Sequence, residues 1–233
     1  MQDRIAALDW AGIGQALWSR GWATTGPLLN ADECAGLRAS YDDERLFRSR
    51  VVMARHRFGE GEYKYFGRPV PPLVTTLREA SYERLAPIAR DWNQAMDTEA
   101  AFPDAHADFI ARCHEQGQTR PTPLLLRYTT GGYNCLHQDL YGKVHFPLQM
   151  VVMLNRPADD YGGGHFLLVE NRPRAQSAGE ALLPGLGEAV IFTTRTRPVR
   201  GARGFHRVTV RHGVSTVTSG ERFTLGIVYH DAE

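Results

Sequence analysis

From Pro121 onward the chain is written in short apolar runs separated by glycine, and this pattern restricts the fold more than any other feature. PTPLLLRY, FPLQMVVML, HFLLVE, EAVIFTT and RFTLGIVYH all read as strands, rich in residues that suit a pleated surface. Gly131-Gly132, Gly162-Gly163-Gly164 and Gly185-Leu186-Gly187 fall between them as turns. Several short strands at such spacing bury their apolar faces by closing sheet on sheet, as in a sandwich or jelly roll. No stretch approaches the length of a membrane-spanning helix.

Before Pro121 the texture is helical. Ile5, Leu8, Ile13 and Leu17 approximate one helix face, which Gly21 ends, and WATTGPLL reads as a short strand. Asn30, with Glu33 three residues on, resembles a capping box opening a helix. VVMARHRF and EYKYF flank Gly59-Glu60-Gly61 as a hairpin. Pro71-Pro72 introduces a longer helix over roughly residues 73–96, and another follows Pro103 to end near Gly117. With no repeat, low-complexity tract or linker, 233 residues suffice for one domain with a sizeable core. The expected architecture is α+β with a mainly β core. Residues 1–120 supply helical support and an entrance hairpin; residues 121–233 form a double-stranded β-helix (jelly roll).

Within the β region, His137-Gln138-Asp139 sets an imidazole and a carboxylate two positions apart, so that on a strand both face the same way. His212 offers a second imidazole. Two imidazoles and one carboxylate, with the other positions open, are the facial triad of non-haem Fe(II) oxygenases. A lone HxD arises often by chance; its weight comes from His212 and Arg222 downstream. His206 and His212 both fall in the right region. His212 is preferred because a turn at Ser219-Gly220 would put Arg222 on the adjacent strand, which leaves His206 as a rim residue that touches substrate. The cysteines Cys34, Cys113 and Cys135 lack CxxC spacing, which argues against a zinc knuckle or a disulfide framework.

Three protein ligands leave three positions on an octahedral iron, two for a bidentate 2-oxo acid and one for dioxygen. Arg222 and Thr224 share a strand face and suit the far carboxylate of such a cosubstrate. Tyr128, ending LLLRY, could reach the same group. Gln149 is a polar residue inside an apolar strand and needs a partner. The plainer alternatives are a core amide for Gln149 and a salt bridge from Arg222 to Glu221 or Asp231.

With these residues in hand, the chain resembles the Fe(II)/2-oxoglutarate-dependent dioxygenases over roughly residues 121–231. RYTTGGYNCLHQD is similar to the segment leading into the HxD pair of prolyl-hydroxylase-type and AlkB-type members, and GLGEAVIFTT followed by HGVSTVTSGER is similar to their closing strands. HQDLYG, FPLQ, NRPR, RPVRGARG and LGIVYHDA together resemble a bacterial branch described as oxygenases acting on damaged DNA. The interval from His212 to Arg222 follows the prolyl-hydroxylase pattern rather than the longer AlkB tail. The resemblance implies Fe(II), 2-oxoglutarate and O2 as cofactors, and hydroxylation of a substrate C–H bond with release of succinate and CO2.

The substrate is less constrained. A net charge of +1 gives no global attraction to nucleic acid. Arg195, Arg197, Arg200, Arg203, Arg207 and Arg211 form the only local basic cluster, and Tyr63, Tyr65 and Phe66 on the hairpin could stack on an unpaired base. His206, Arg207 and Tyr65 are therefore the candidate substrate contacts. The possible substrates are a modified nucleobase, an amino acid or prolyl peptide, and a small molecule. A non-catalytic metal-binding jelly-roll protein is the reading from a different class, and it would have no use for Arg222. The start, MQDRIAALDWAG, lacks a long apolar run, and together with the unpaired cysteines this makes a cytoplasmic setting the expectation, with no membrane partner.

Overall fold

The computed structural model describes residues 1–98 and 101–233. In chain order its elements are α1 (Gln2–Ala6), α2 (Trp10–Arg20), β1 (Trp22–Pro27), α3 (Ala31–Ala39), β2 (Phe47–Val52), β3 (Gly59–Glu60), β4 (Glu62–Phe66), α4 (Pro72–Ala95) and α5 (His106–Glu115). Nine strands follow: β5 (Leu124–Thr129), β6 (Tyr133–His137), β7 (Leu148–Met153), β8 (Tyr161–Gly163), β9 (Phe166–Asn171), β10 (Ala178–Leu182), β11 (Glu188–Thr193), β12 (Thr196–Gly201) and β13 (Gly204–Val214), with β14 (Val217–Val228) closing the series as a tenth. No helix among the described residues is long and apolar enough to cross a membrane.

Local chemistry sets the helix ends. The Asp9 side chain accepts from the Gly12 N–H to open α2, and Gly21, at φ 81°, closes it. Asn30 and Glu33 complete a reciprocal capping box on α3. Pro72 sits in the first turn of α4, where its missing N–H costs nothing. Along α4 the buried residues Val74, Leu77, Ser81, Leu85, Ala89 and Trp92 recur every three or four positions and, with Tyr82 beside them, make one buried, mainly apolar stripe.

The strands form two sheets. The larger is ordered β1-β11-β7-β14-β5-β4-β2, with β8 also on β14; the smaller is ordered β10-β9-β13-β6-β3, with β12 on β13. The two-residue period divides the larger sheet cleanly. Phe223, Leu225, Ile227 and Tyr229 of β14 and its extension join Leu125 of β5 and Leu148 and Val152 of β7 in the core shared with the helices. Arg222, Thr224, Gly226 and Val228 turn to the other face, toward a cavity between the sheets. Val151, Met153, Phe166, Leu168, Val190, Phe192 and Val210 fill the space beside that cavity.

Several expectations need correction. The first half is less separate than its helical texture implies: β1 pairs with β11, β3 with β6 and β4 with β5, so residues before Pro121 enter both sheets. The hairpin is wider than Gly59-Glu60-Gly61. β2 does pair with β4, but their connection runs through a 3-10 turn (Met53–His56) and through β3, which leaves for the smaller sheet. Ile5 and Ile13 lie on different helices, because Asp9 caps a fresh start at Trp10. Ser219-Gly220 is not a turn; both residues lie within β14, and the chain reverses at residues 215–216. Gly220 has φ 72°, and an added Cβ would lie 2.1 Å from the Asp160 carbonyl oxygen. Its glycine permits a close approach of two strands, and that use looks like a turn in the sequence.

Candidate metal and anion site

His137, the last residue of β6, and His212, near the end of β13, are direct cross-strand partners. Their ring centroids lie 4.2 Å apart. Asp139 comes two residues after β6 has ended, so it reaches the pair from coil and not, as the sequence spacing suggests, from the same strand face. Its Oδ1 lies 3.5 Å from His137 Nε2 and its Oδ2 3.2 Å from His212 Nε2. One nitrogen or oxygen from each of the three residues falls within 4.8 Å of the others, close enough to hold a single ion.

The neighbours orient these groups. His137 Nδ1 lies 2.8 Å from the Cys135 carbonyl oxygen, which can only accept; Nδ1 therefore carries a proton, and Nε2 is the ring atom turned to the carboxylate and left to serve as a ligand. Tyr141 donates to Asp139 Oδ1 at 2.6 Å. Burial opposes ionisation of Asp139, but the charges and hydrogen bonds of His212 and His137 hold its carboxyl well below the usual range. Burial, helped by the neighbouring His137, pushes His212 down. At His137 burial acts the same way, and Asp139 outweighs it to give a net upward shift.

The cavity holding this cluster has a volume of about 370 Å³. Arg222, 1% exposed, lines the same cavity from β14, directly opposite Tyr128 of β5. Its guanidinium carbon sits 5.6 Å from the Tyr128 ring centroid and 6.0 Å from that of Tyr161. Nη2 points at the Met153 sulfur at 3.5 Å, while Nε and Nη1 have no hydrogen-bond partner in the protein. The two carboxylates weighed as partners are engaged elsewhere: Glu221 binds Arg127, and Asp231 binds Arg68 and Arg78. Burial pulls the Arg222 pKa down; a guanidinium nevertheless keeps its charge in proteins, so a cation is buried here without an anion. Gly164 makes the room, since an added Cβ would lie 2.8 Å from Arg222 Cδ. Thr224 and Gln149 line the same cavity, both buried, and the Gln149 amide nitrogen also lacks a partner.

These observations test the implied cofactors against the residues present. A donor set of two imidazoles and a carboxylate suits Fe(II), and the orphaned guanidinium and amide nitrogens suit the oxygens of a carboxylate. The residues fit both groups.

The structure thus brings together His137, Asp139, His212, Arg222, Thr224, Tyr128 and Gln149 in one cavity. It places three further candidates outside the lining. His206 is exposed, on the far part of β13 opposite Val199. Arg207 donates to the Met96 carbonyl and to Thr98 Oγ1. Tyr65 is buried edge-on to Tyr63 and Tyr141, under the Arg48 guanidinium. Of the arginine cluster, Arg197 is buried and ion-paired to Glu170 at 2.6 Å. Nothing in the sequence singled out Tyr141, although HQDLY puts a phenol two residues beyond the carboxylate, or Phe166 and Phe192; all three line the cavity, as does Tyr63, one of the rings expected to stack on a base.

Comparison with known proteins agrees with this geometry. Residues 61–232 match a family described as an oxygenase catalysing oxidative methylation of damaged DNA. An uncharacterized protein of Mycobacterium tuberculosis is 51% identical over 167 residues, 72% of either chain. Among solved structures, a Pseudomonas putida prolyl-4-hydroxylase superimposes with a TM-score of 0.56 at 16% identity, over 96% of this chain and 99% of the other. An oxidoreductase of the 2OG-Fe(II) oxygenase family from Burkholderia pseudomallei gives 0.54 at 17% identity, over 96% and 92%. At these identities the two structural likenesses are ones of fold.

Proposed function

This chain belongs to the family of oxygenases described as catalysing oxidative methylation of damaged DNA, and from that membership we propose that it is a Fe(II)- and 2-oxoglutarate-dependent dioxygenase that hydroxylates a C–H bond of a modified nucleobase. It is an oxidoreductase on the jelly-roll fold of the 2OG-Fe(II) oxygenases. The observation that carries the cosubstrate assignment is the buried, anion-less Arg222 in the same cavity as the His137–Asp139–His212 cluster. A structural metal site would need no such group.

His137, Asp139 and His212 would hold the iron. Arg222, with Thr224, would hold the distal carboxylate of 2-oxoglutarate, which fixes the 2-oxo end toward the triad. The chemistry that this pair supplies when bound is oxidation of 2-oxoglutarate to succinate and CO2 coupled to conversion of a substrate C–H to C–OH, one atom of O2 entering each oxidised product. Cys135, through its carbonyl, fixes the His137 tautomer, and Tyr141 fixes the Asp139 carboxylate by donating to Oδ1. The apolar walls, Leu126, Phe166, Phe192 and Val214, keep bulk water from the reacting atoms.

The short interval from His212 to Arg222 and the fold likeness to prolyl hydroxylases favour a second reading, a peptidyl substrate. Succinate formation with added Fe(II) separates them. Stimulation by an oligonucleotide bearing an N-methylated base supports the nucleobase reading, and stimulation by a proline-containing peptide alone supports the second. Failure of 2-oxoglutarate to bind in calorimetry would overturn both.

A further inference from the structure

The turn between β2 and β4 carries a group of side chains that the chemistry described so far does not use. Arg55, His56, Arg57 and Phe58 are consecutive and all exposed. The His56 and Phe58 rings stack at 5.3 Å with 23° between their planes. Neither Arg55 nor Arg57 meets a carboxylate among the described residues, whereas Arg45, Arg50, Arg68 and Arg127 each do. Phe58, 47% exposed, thus sets a ring face in solvent beside two guanidiniums that no described carboxylate answers.

The turn is not a loose loop. At one end Met53, fully buried, packs in a small core with Tyr128, Tyr161, Val214 and Val217 beside the anion end of the cavity. At the other end the Phe58 carbonyl accepts from the Cys135 N–H at 2.8 Å, and Gly59 pairs with Asn134, so the turn is bonded to the strand that carries His137. Within it the Phe58 N–H returns to the Met53 carbonyl at 3.1 Å. Arg57 and Phe58 line the cavity mouth as a result.

The adjoining strand β6 and its continuation add to this surface: Leu136, 40% exposed, and Gln138 line the same cavity, and Gln138 is pinned by its amide to the Val210 carbonyl (2.8 Å) and that of the exposed Arg195 (3.3 Å). Asp139 is the only acidic residue lining the cavity among those described. The lining here therefore offers a cation (Arg57), a π-face (Phe58) and an aliphatic side chain (Leu136), while the exposed Glu60, two residues beyond Phe58, lies outside the lining. An unpaired nucleotide presents the matching groups: phosphate charge on either side of a planar base. A base inside a duplex cannot bring its reacting atom to the His137–Asp139–His212 cluster, so it must leave the stack.

We infer that the 53–58 turn reads single-stranded or extruded nucleic acid, with Arg57, assisted by Arg55, holding a phosphate that flanks the target nucleotide and Phe58, braced by His56, stacking on a base. This rests on the nucleobase reading above and specifies how the substrate is held. It also moves substrate recognition away from the arginine-rich β12–β13 hairpin, where Arg197 is already paired and Arg207 is already bonded to backbone.

The test uses the full chain and a fluorescein-labelled single strand of about 15 nucleotides, with its duplex as the second probe, by anisotropy across a salt series. Tighter binding of the single strand, a loss of roughly tenfold in Phe58→Ala, and a salt slope shallower by about one in Arg57→Ala are the expected results. Arg57→Lys should restore the slope, because a point charge is enough for it. Phe205→Ala, which removes an equally exposed ring on the distal hairpin, should bind as the parent does, and circular dichroism checks that each variant is folded. A parent that binds the strand and turn variants that bind it equally well would overturn the inference and leave the nucleobase reading standing. Tighter binding of the duplex than of the single strand, unchanged in Phe58→Ala, would also overturn it. A parent that binds neither strand nor duplex but does bind an acidic peptide would overturn both.

Discussion

Two arginines are buried in this molecule under opposite terms. Arg78, in α4, donates to the Val228 and Tyr229 carbonyls at 2.9 and 3.0 Å and to Asp231 Oδ1 at 3.0 Å. Asp231 has no exposed surface and is shared with Arg68 and His114. Nε and Nη2 of this guanidinium are answered by the protein; Thr122 Oγ1 also accepts from Nη2 at 3.2 Å, and no fully buried nitrogen of the group is left without a partner. Arg222 is at least as deeply buried, lies between two tyrosine rings, and has no anion at all. A buried charge that is fully answered belongs to the architecture, and one left unanswered marks where a ligand of opposite charge is received.

Exchanging the two arginines for methionine sharpens this contrast most. Arg78→Met strands Asp231 in the interior and should cost about 3–5 kcal/mol in urea unfolding. Arg222→Met removes a desolvated charge with nothing to lose, so the cosubstrate-free protein should be as stable as the parent or more so. The same change should weaken 2-oxoglutarate binding by roughly a hundredfold in calorimetry. Equal destabilisation by both would break the comparison. Tyr141→Phe is a smaller perturbation: it deletes one hydrogen bond to the carboxylate and should lower Fe(II) or Co(II) affinity by about tenfold without shifting 2-oxoglutarate affinity measured at saturating metal. At neutral pH the smallest effect comes from His106 and His230, beside the Asp231 cluster. Burial lowers both to about 3, against 6.5 for the free side chain. The unfolded chain then binds protons that the native state does not, so stability falls as pH drops from 6.5 toward 3. His106→Gln should flatten that slope in acid titrations, and an unchanged slope would mean that the acid sensitivity originates elsewhere.

The two regions were unequally legible in the sequence. The anion site was visible because strand periodicity is rigid: Arg222 and Thr224 had to share a face, and Gln149 stood out in an apolar run. The α4 and α5 helices were visible for a similar reason, since prolines announce their starts. β13 was harder to see although it carries His212. His212 was expected on a strand, but the exposed arginines that alternate with Val208 and Val210 in FHRVTVRHGV also suit a solvated loop, which hid how far the strand extends. Asp139 was read as a strand neighbour of His137, but coil geometry brings it into place, and no residue pattern encodes such a curl. The Arg78–Asp231 interaction was hidden altogether. It joins residues 153 positions apart, and neither carries a local signal of its partner.

β14 has a further consequence through its place in the larger sheet. It lies against β5, β7 and β8. It presents Arg222 at its middle, and its chain runs directly on into the Asp231 cluster. Neutralising that one guanidinium would tighten three neighbouring ribbons together with the tail of the chain. Occupancy of the cavity should then be readable at a distance, as slower amide exchange along the sheet, so that the protein announces its cargo by stiffening.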